Sequence, residues 1–272
     1  MEKNTNISSN SLFHYTNSID NLISILKEGF RIKYSLEKFG LFDKDENDIT
    51  DEFAIPIVCF CDIPLNLVQQ QISVYGQYAI GLRKQWGAQN AISPVLYLPN
   101  YSETRHILND CARNITKNNR KIREIYKSLK YAEQETMTDV INLYDELIDL
   151  TMFVKPYIGY YERKSNGFKD PNYKFYDERE WRYKPSRLFG FKSYLTKEEF
   201  LTNDLERNKV LNHISFSKDD ISDIIVPKED VEKVQEELKK IERLKGIDIK
   251  IVGTIEKNNY NKWNINKNGI EY

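Results

Sequence analysis

Pro56–Asp62, PIVCFCD, dictates the kind of fold this chain adopts. The run is β-branched and aromatic, and its apolarity is nearly continuous rather than alternating. A strand of that type is buried on both faces, so it predicts the middle of a covered sheet. Cys59 and Cys61 then share one face of the strand, with Phe60 on the other. Two thiols spaced CxC, with one further cysteine in the chain, supply too few soft ligands for a structural zinc site. They are expected as small buried residues on a pocket floor, without metal.

A second stretch, Phe175–Tyr183 (FYDEREWRY), concentrates chemistry. As one strand it would place Glu178, Glu180 and Arg182 on one face, and Arg179, Trp181 and Tyr183 on the other. Like charges about 7 Å apart raise each other's pKa, and an intervening guanidinium lowers them again. Such a cluster suits ribose hydroxyls or a developing cation. The competing reading is a strand whose charges simply face water.

Around these two stretches the chain alternates strands and helices. Leu12–Thr16 reads as a strand, and Asn17–Ser18 as the N-cap of a helix with Ile19, Leu22, Ile23 and Leu26 on its buried stripe. Gly29 stands at its C-cap. His14 therefore precedes a helix N-terminus, where a phosphate or carboxamide is welcome; the alternative is a core histidine. Tyr15 and Thr16 add hydrogen-bonding groups beside it. The acidic residues 37–52 read as a surface loop. Asp62 and Pro64 begin a helix that points Leu65, Val68, Ile72 and Tyr75 inward and stops at Gly76. Tyr75 is either a pocket lid or a packing residue. Tyr78–Leu82 and Pro94–Leu98 follow as strands.

Residues 101–156 read as a helical insertion, with Met137, Val140, Ile141, Tyr144, Leu147 and Ile148 as its buried stripe. Its basic run Lys117–Lys130 reads as a solvated helix face, with a nucleic-acid groove as the minor alternative. Further on come a helix at Thr196–Asn208, strands at Val210–Phe216 and Ile221–Val226, and a helix burying Val231, Val234, Leu238 and Ile241 before Gly246. Ile247–Ile255 closes the sheet, and residues 256–272 form a peripheral tail. The expected class is α+β, one domain over residues 1–272 with a mixed, mostly antiparallel sheet split around a cleft.

Lys plus Arg (40) nearly cancel Asp plus Glu (41), which removes generic attraction to nucleic acid. A polar N-terminus, unpaired cysteines and the lack of an apolar run of about 18 residues predict a soluble, cytoplasmic protein. There is no GxGxxG, no phosphate-binding GxxxxGK, no GxSxG and no HExxH, so those enzyme classes find no support.

Taken in order, HYT, LISILKEGF, IPIVCFCDIPL, YGQYAIGLRKQWG, SPVLYL and FYDEREWRY resemble the AbiGi family of abortive-infection, phage-resistance proteins. The resemblance covers roughly residues 12–185, with a weaker echo in SFSKDDISDIIVPKED. AbiGi proteins are described as the antitoxin-like half of a two-component system. That implies a cognate toxin or another defence protein as partner, and a phage-derived trigger. A more distant similarity is to ADP-ribosyltransferase-like domains of the DarT type, which implies an ADP-ribosyltransferase-like fold and NAD as substrate. Under it His14 matches the first-strand histidine that holds NAD, and Glu180 the catalytic glutamate. Glu178 supports Glu180, and Tyr15, Thr16, Tyr75, Tyr78 and Arg182 join the NAD site. The alternative implied function is a non-catalytic antitoxin that holds a toxin or nucleotide in the same cleft. CFCD replaces the Ser/Thr-containing central strand of the transferases, a departure from that pattern.

Overall fold

The central position of PIVCFCD is realised by a ten-residue strand that collects partners along its whole length. The computed structural model describes residues 9–39, 52–64, 72, 74–163, 167–185, 191–245, 251–253, 255–257 and 263–265. In chain order it contains β1 (Ser11–Thr16), α1 (Ile19–Glu28), β2 (Phe30–Lys38), β3 (Glu52–Cys61) and β4 (Tyr78–Arg83). Then follow α2 (Lys84–Gln89), β5 (Ser93–Pro94), β6 (Leu96–Leu98), α3 (Glu103–Ser128), α4 (Tyr131–Thr151) and β7 (Val154–Pro156). β8 (Gly159–Arg163), β9 (Phe168–Tyr173), β10 (Glu180–Tyr183) and β11 (Leu195–Thr196) come next. The chain continues with α5 (Lys197–Thr202), α6 (Asp204–Asn208), β12 (Asn212–Ile214), β13 (Ile221–Val226), α7 (Val231–Lys240) and β14 (Ile251–Gly253). A small ribbon pairs Ile255–Lys257 with Trp263–Ile265.

The main sheet runs β12-β2-β3-β1-β4-β13-β14, with β10 and β11 also on β3 and β5 on β10. Its pairings are antiparallel except β13 with β14, so the α+β, mostly antiparallel expectation holds at that level. β3 pairs with β2 over Glu52–Ile57 and with β10 over Val58–Cys61. It meets β1 at the single pair Phe13–Cys61.

Both faces of β3 are covered. Val58 and Phe60 pack with Leu12, Phe30, Ile80 and Trp86 beneath Leu22 and Leu26 of α1 and Val234 and Leu238 of α7. On the other face Ile55, Ile57 and Cys59 join Phe39, Leu98, Met152 and Val154, and Cys61 joins Phe13, Ile72 and Ile225. Each large side chain so removed from water contributes about 1.5–3 kcal/mol before entropy is counted. α1 begins where Ser18 Oγ accepts the Asn21 N–H at 3.2 Å. It ends at Gly29, whose φ of 91° and 2.5 Å approach of a notional Cβ to Ile214 O admit no side chain.

The insertion leaves the body at β6 and returns at β7, which pair in parallel. Its helices run antiparallel: Arg123 meets Asp145 at 2.7 Å, and Gln134 Nε2 donates to Tyr126 O at 3.1 Å. The single buried stripe expected on α4 divides in two. Met137, Ile141, Leu147 and Ile148 are half-buried, whereas Val140 is 39% exposed. Two helices share only one mutual face, so a second apolar stripe stays outside. The side chain of Tyr144 lies outside the described residues.

Other expectations shift in detail. Phe175–Tyr183 is not one strand: Phe175–Glu178 is a 3-10 turn, Arg179 is left-handed (φ 45°), and only Glu180–Tyr183 is extended. The helix at Thr196–Asn208 breaks at Asn203, whose side chain caps the second piece. The strand expected at Val210–Phe216 shortens to Asn212–Ile214, and Glu37 and Lys38, expected in a loop, belong to β2. Ile72 and Tyr75 are helical as expected; Leu65, Val68 and Gly246 lie outside the described residues. Among the described residues no helix is long and apolar enough to cross a membrane.

Candidate functional site

Three of the four charged residues of the EREWR stretch, Glu178, Glu180 and Arg182, converge on a buried ionic network, while Arg179 turns to Asp62. Glu178, Glu180 and Arg182 are 1%, 5% and 1% exposed. Lys155, in β7, sets its Nζ 2.7 Å from Glu178 Oε2 and 2.5 Å from Glu180 Oε2. Arg182 Nε donates to Glu180 Oε1 at 2.6 Å, and its Nη2 reaches Glu37 Oε2 of β2 at 2.9 Å. Arg182 Nη1 donates to Met152 O at 2.5 Å, just past the end of α4. Tyr75 donates its hydroxyl to Glu178, while Tyr97 accepts the backbone N–H of Glu180 at 2.8 Å.

The charges settle each other's ionisation. Burial alone pushes the Glu180 carboxyl up, but Arg182 and then Lys155 outweigh it and hold the group well below the usual carboxylate range. Burial works against the charge on Lys155, yet Glu178 and Glu180 keep the ammonium protonated well above its ordinary range. The thiol of Cys59 is pushed up by burial and by Glu180, and that of Cys61 by burial and by Glu178. Both are therefore poor nucleophiles and poor metal ligands at neutral pH. Among the described residues no group of three or more His, Cys, Asp or Glu is arranged to hold a metal.

Register decides which expected site residues meet. Phe13 opposes Cys61, and Glu180 and Arg182 oppose Cys61 and Cys59, so these residues share a face. Tyr15 follows Phe13 on that face; its hydroxyl is enclosed near Cys61 and has no hydrogen-bond partner among the described residues. Burial pushes that hydroxyl up in pKa. His14, Thr16 and Tyr78 belong to the opposite face. The His14 ring packs edge-on against Phe30 and Phe60 at 5.2 and 5.8 Å, and its Nδ1 bonds Cys59 O at 2.8 Å. Burial lowers its pKa, so the neutral ring fills the seam where β1 and β3 share only one backbone pair. Thr16 Oγ1 accepts from Asn21 Nδ2 at 3.1 Å, and Tyr78 donates to Asp230 Oδ2 at 2.6 Å. Burial and Asp230 push the Tyr78 hydroxyl up to about 12.

His14 and Glu180 are thus not brought to one cleft; the body of the sheet lies between them. Glu178, Glu180, Arg182 and Tyr75 do come together. The period-2 reading placed Glu178 beside Glu180 for the wrong reason. A left-handed Arg179, whose carbonyl accepts the Asp62 N–H at 3.0 Å, swings Glu178 back to Lys155. Lys155 and Glu37 are the functional residues that the sequence reading missed. Lys155 carried one signal, a lone cation between Val154 and Pro156, both of which pack inward.

Chemically, each oxygen of Glu180 has a resident cationic partner. Glu180 Oε1 is taken by Arg182, and Oε2 by Lys155, with Arg182 Nη2 a further 3.4 Å away. A carboxylate that stabilises a developing cation has to face it directly. This one faces two resident cations.

Fold and network define an α+β protein whose central charged cluster is spent on internal pairing. The chain belongs to the AbiGi family: the family model described as "Putative abortive phage resistance protein AbiGi, antitoxin" matches residues 28–227. The "Abortive phage resistance protein AbiGi" of Lactococcus lactis subsp. cremoris is 29% identical over 148 residues, which are 52% of this chain and 55% of that protein. The chain therefore spans about half the length of this curated relative. No solved structure matches the chain.

Proposed function

We propose that this chain acts in abortive phage resistance as a non-catalytic antitoxin that holds a cognate toxin. The observation carrying this reading is the pairing of both Glu180 carboxylate oxygens with resident cations, Arg182 and Lys155. The description of the family as an antitoxin supports it from an independent direction. The second reading, an ADP-ribosyltransferase-like enzyme that consumes NAD, rests on the sequence resemblance of the HYT and EREWR stretches. It needs His14 and Glu180 at one nicotinamide riboside, and they occupy opposite faces of the sheet.

The test pairs two measurements. Purified protein is incubated with NAD and released nicotinamide is quantified; separately, it is co-expressed with a candidate cognate toxin and growth is followed. The expected result is no nicotinamide above the blank, with growth restored. Glu180→Gln is expected to restore growth in proportion to the folded protein that remains. Nicotinamide release by the wild type that disappears in Glu180→Gln would overturn the antitoxin reading in favour of the enzyme.

A further inference from the structure

Helix α4 is amphipathic twice over. Its α3-facing side is fixed by the Arg123–Asp145 ion pair, by the Gln134–Tyr126 hydrogen bond and by Ile148, which packs with Leu108 of α3 in one cluster. Val140, Leu143, Leu147 and Leu150 recur at spacings of three, four and three, the rhythm of a coiled-coil seam. At about 100° per residue this second stripe falls on nearly the opposite side of the helix. Val140, Leu143 and Leu150 are 39%, 55% and 55% exposed, and Leu147 between them is half-buried. A seam of that geometry is more than the scattered apolar residues of an ordinary surface.

Charge determines what covers it. From Tyr131 to Thr151 the helix carries Glu133, Glu135, Asp139, Asp145, Glu146 and Asp149, and no lysine or arginine. Glu133 caps the N-terminus, Asp145 pairs with Arg123 and Asp149 with Lys184. Glu135, Asp139 and Glu146 are exposed and follow one another along a single flank of the outer stripe. A helix lying in this seam meets leucines at its centre and carboxylates along one edge.

We infer that the outer stripe of α4, Val140–Leu143–Leu147–Leu150 with Glu135, Asp139 and Glu146, is the docking face for a basic amphipathic helix of the partner protein. The inference rests on the antitoxin reading and gives it a surface. The partner helix presents apolar residues at matching three-four spacing and lysine or arginine on the side that meets the carboxylates. A second copy of this chain fits less well, because two α4 helices would set acidic flanks against each other.

The test uses the full chain and two labelled synthetic 21-residue helical peptides with identical leucine seams, one flanked by lysine and the other by glutamate. Fluorescence anisotropy is expected to show saturable binding of the lysine peptide and at least about tenfold weaker binding of the glutamate peptide. Leu143→Ser with Leu150→Ser is expected to weaken the lysine peptide by about tenfold or more, with circular dichroism and Tm unchanged. Glu135→Lys with Asp139→Lys and Glu146→Lys is expected to invert the peptide preference. Equal binding of both peptides, or binding indifferent to the serine variant, would overturn the inference. So would a wild-type dimer, seen by sedimentation, that the serine variant dissolves. Toxin neutralisation separates the two levels. If the wild type neutralises and the serine variant does so equally well, the docking face is wrong while the antitoxin reading stands. Failure of the wild type itself removes the antitoxin reading.

Discussion

Replacing Arg182 by Met tests whether the ionic network is a structural element. The side chain is 1% exposed and bonds three partners: Glu180 at 2.6 and 3.4 Å, Glu37 at 2.9 Å and Met152 O at 2.5 Å. Methionine keeps most of the volume, so the change isolates charge and hydrogen bonding. Glu178 and Glu180 are then left to share the single ammonium of Lys155, and Glu37 loses its Arg182 ion pair. Removing one partner from a buried pair costs about 3–5 kcal/mol, chiefly because the other charge stays buried without compensation. That is a large part of the roughly 5–15 kcal/mol available to a folded domain. The sign of the pH dependence follows from Glu180. In the wild type its folded pKa is depressed, so its contribution is complete above the unfolded carboxylate value of about 4.3 and is lost only as pH falls through the folded value. Between pH 7 and 5 it therefore adds no slope. In Arg182→Met, burial regains the upper hand and the Glu180 proton affinity rises. Acidification from pH 7 to 5 then protonates the carboxyl and recovers part of the loss. Urea unfolding of both proteins at the two pH values gives the numbers. The expected deficit is about 3–5 kcal/mol at pH 7 and smaller at pH 5. Arg182→Met combined with Glu180→Gln should be less unstable than the sum of the single changes. A deficit under about 1 kcal/mol, or one that grows on acidification, would refute this account.

His14 should impose a pH slope of its own. Its folded pKa lies below the unfolded value of about 6.5, so its stabilisation is present above that pH and is lost as pH falls through it. His14→Gln is expected to flatten the fall in urea midpoint between pH 7 and 5, whereas an unchanged slope would place the titration elsewhere. Thiol chemistry gives another measurement. Cys111 is exposed, while Cys59 and Cys61 are partly enclosed and held in the thiol form. A disulfide dye at pH 7.5–8 should titrate one thiol rapidly and the other two only on unfolding, and rapid labelling of all three would contradict the described packing.

What the sequence disclosed, and what it withheld, follows from the range of the interactions concerned. PIVCFCD announced its own environment, since a strand without a polar face must be covered twice. Ser18 and Gly29 were legible for the same reason: caps are decided by atoms within four residues. The partners of EREWR were not. Glu37 and Lys155 arrive from β2 and β7, 145 and 27 positions away from Arg182 by residue number, and no local pattern marks them. The separation of His14 from Glu180 depends on one register pair, Phe13–Cys61. A shift by one residue would exchange the faces and change the functional reading. Two apolar stripes on α4 were read as one because helical spacing tolerates both 3 and 4. Only the position of α3 distinguishes them.

The network and the outer stripe of α4 are mechanically connected. Arg182 holds the carbonyl of Met152 immediately after the last turn of α4, and Lys184, two residues on, pairs with Asp149 inside that turn at 3.0 Å. Lys155 then enters the network three residues after Met152. The C-terminal end of the hairpin is therefore fixed to β10 from both sides of the connection, whereas its far end, around 128–131, extends away from these anchors. A helix presenting a seam to a partner gains affinity when its direction is fixed before binding, because less ordering remains to be done. On this view the buried charges act at a distance from the partner. They fix the direction of the C-terminal end of α4 through Met152 O and Asp149.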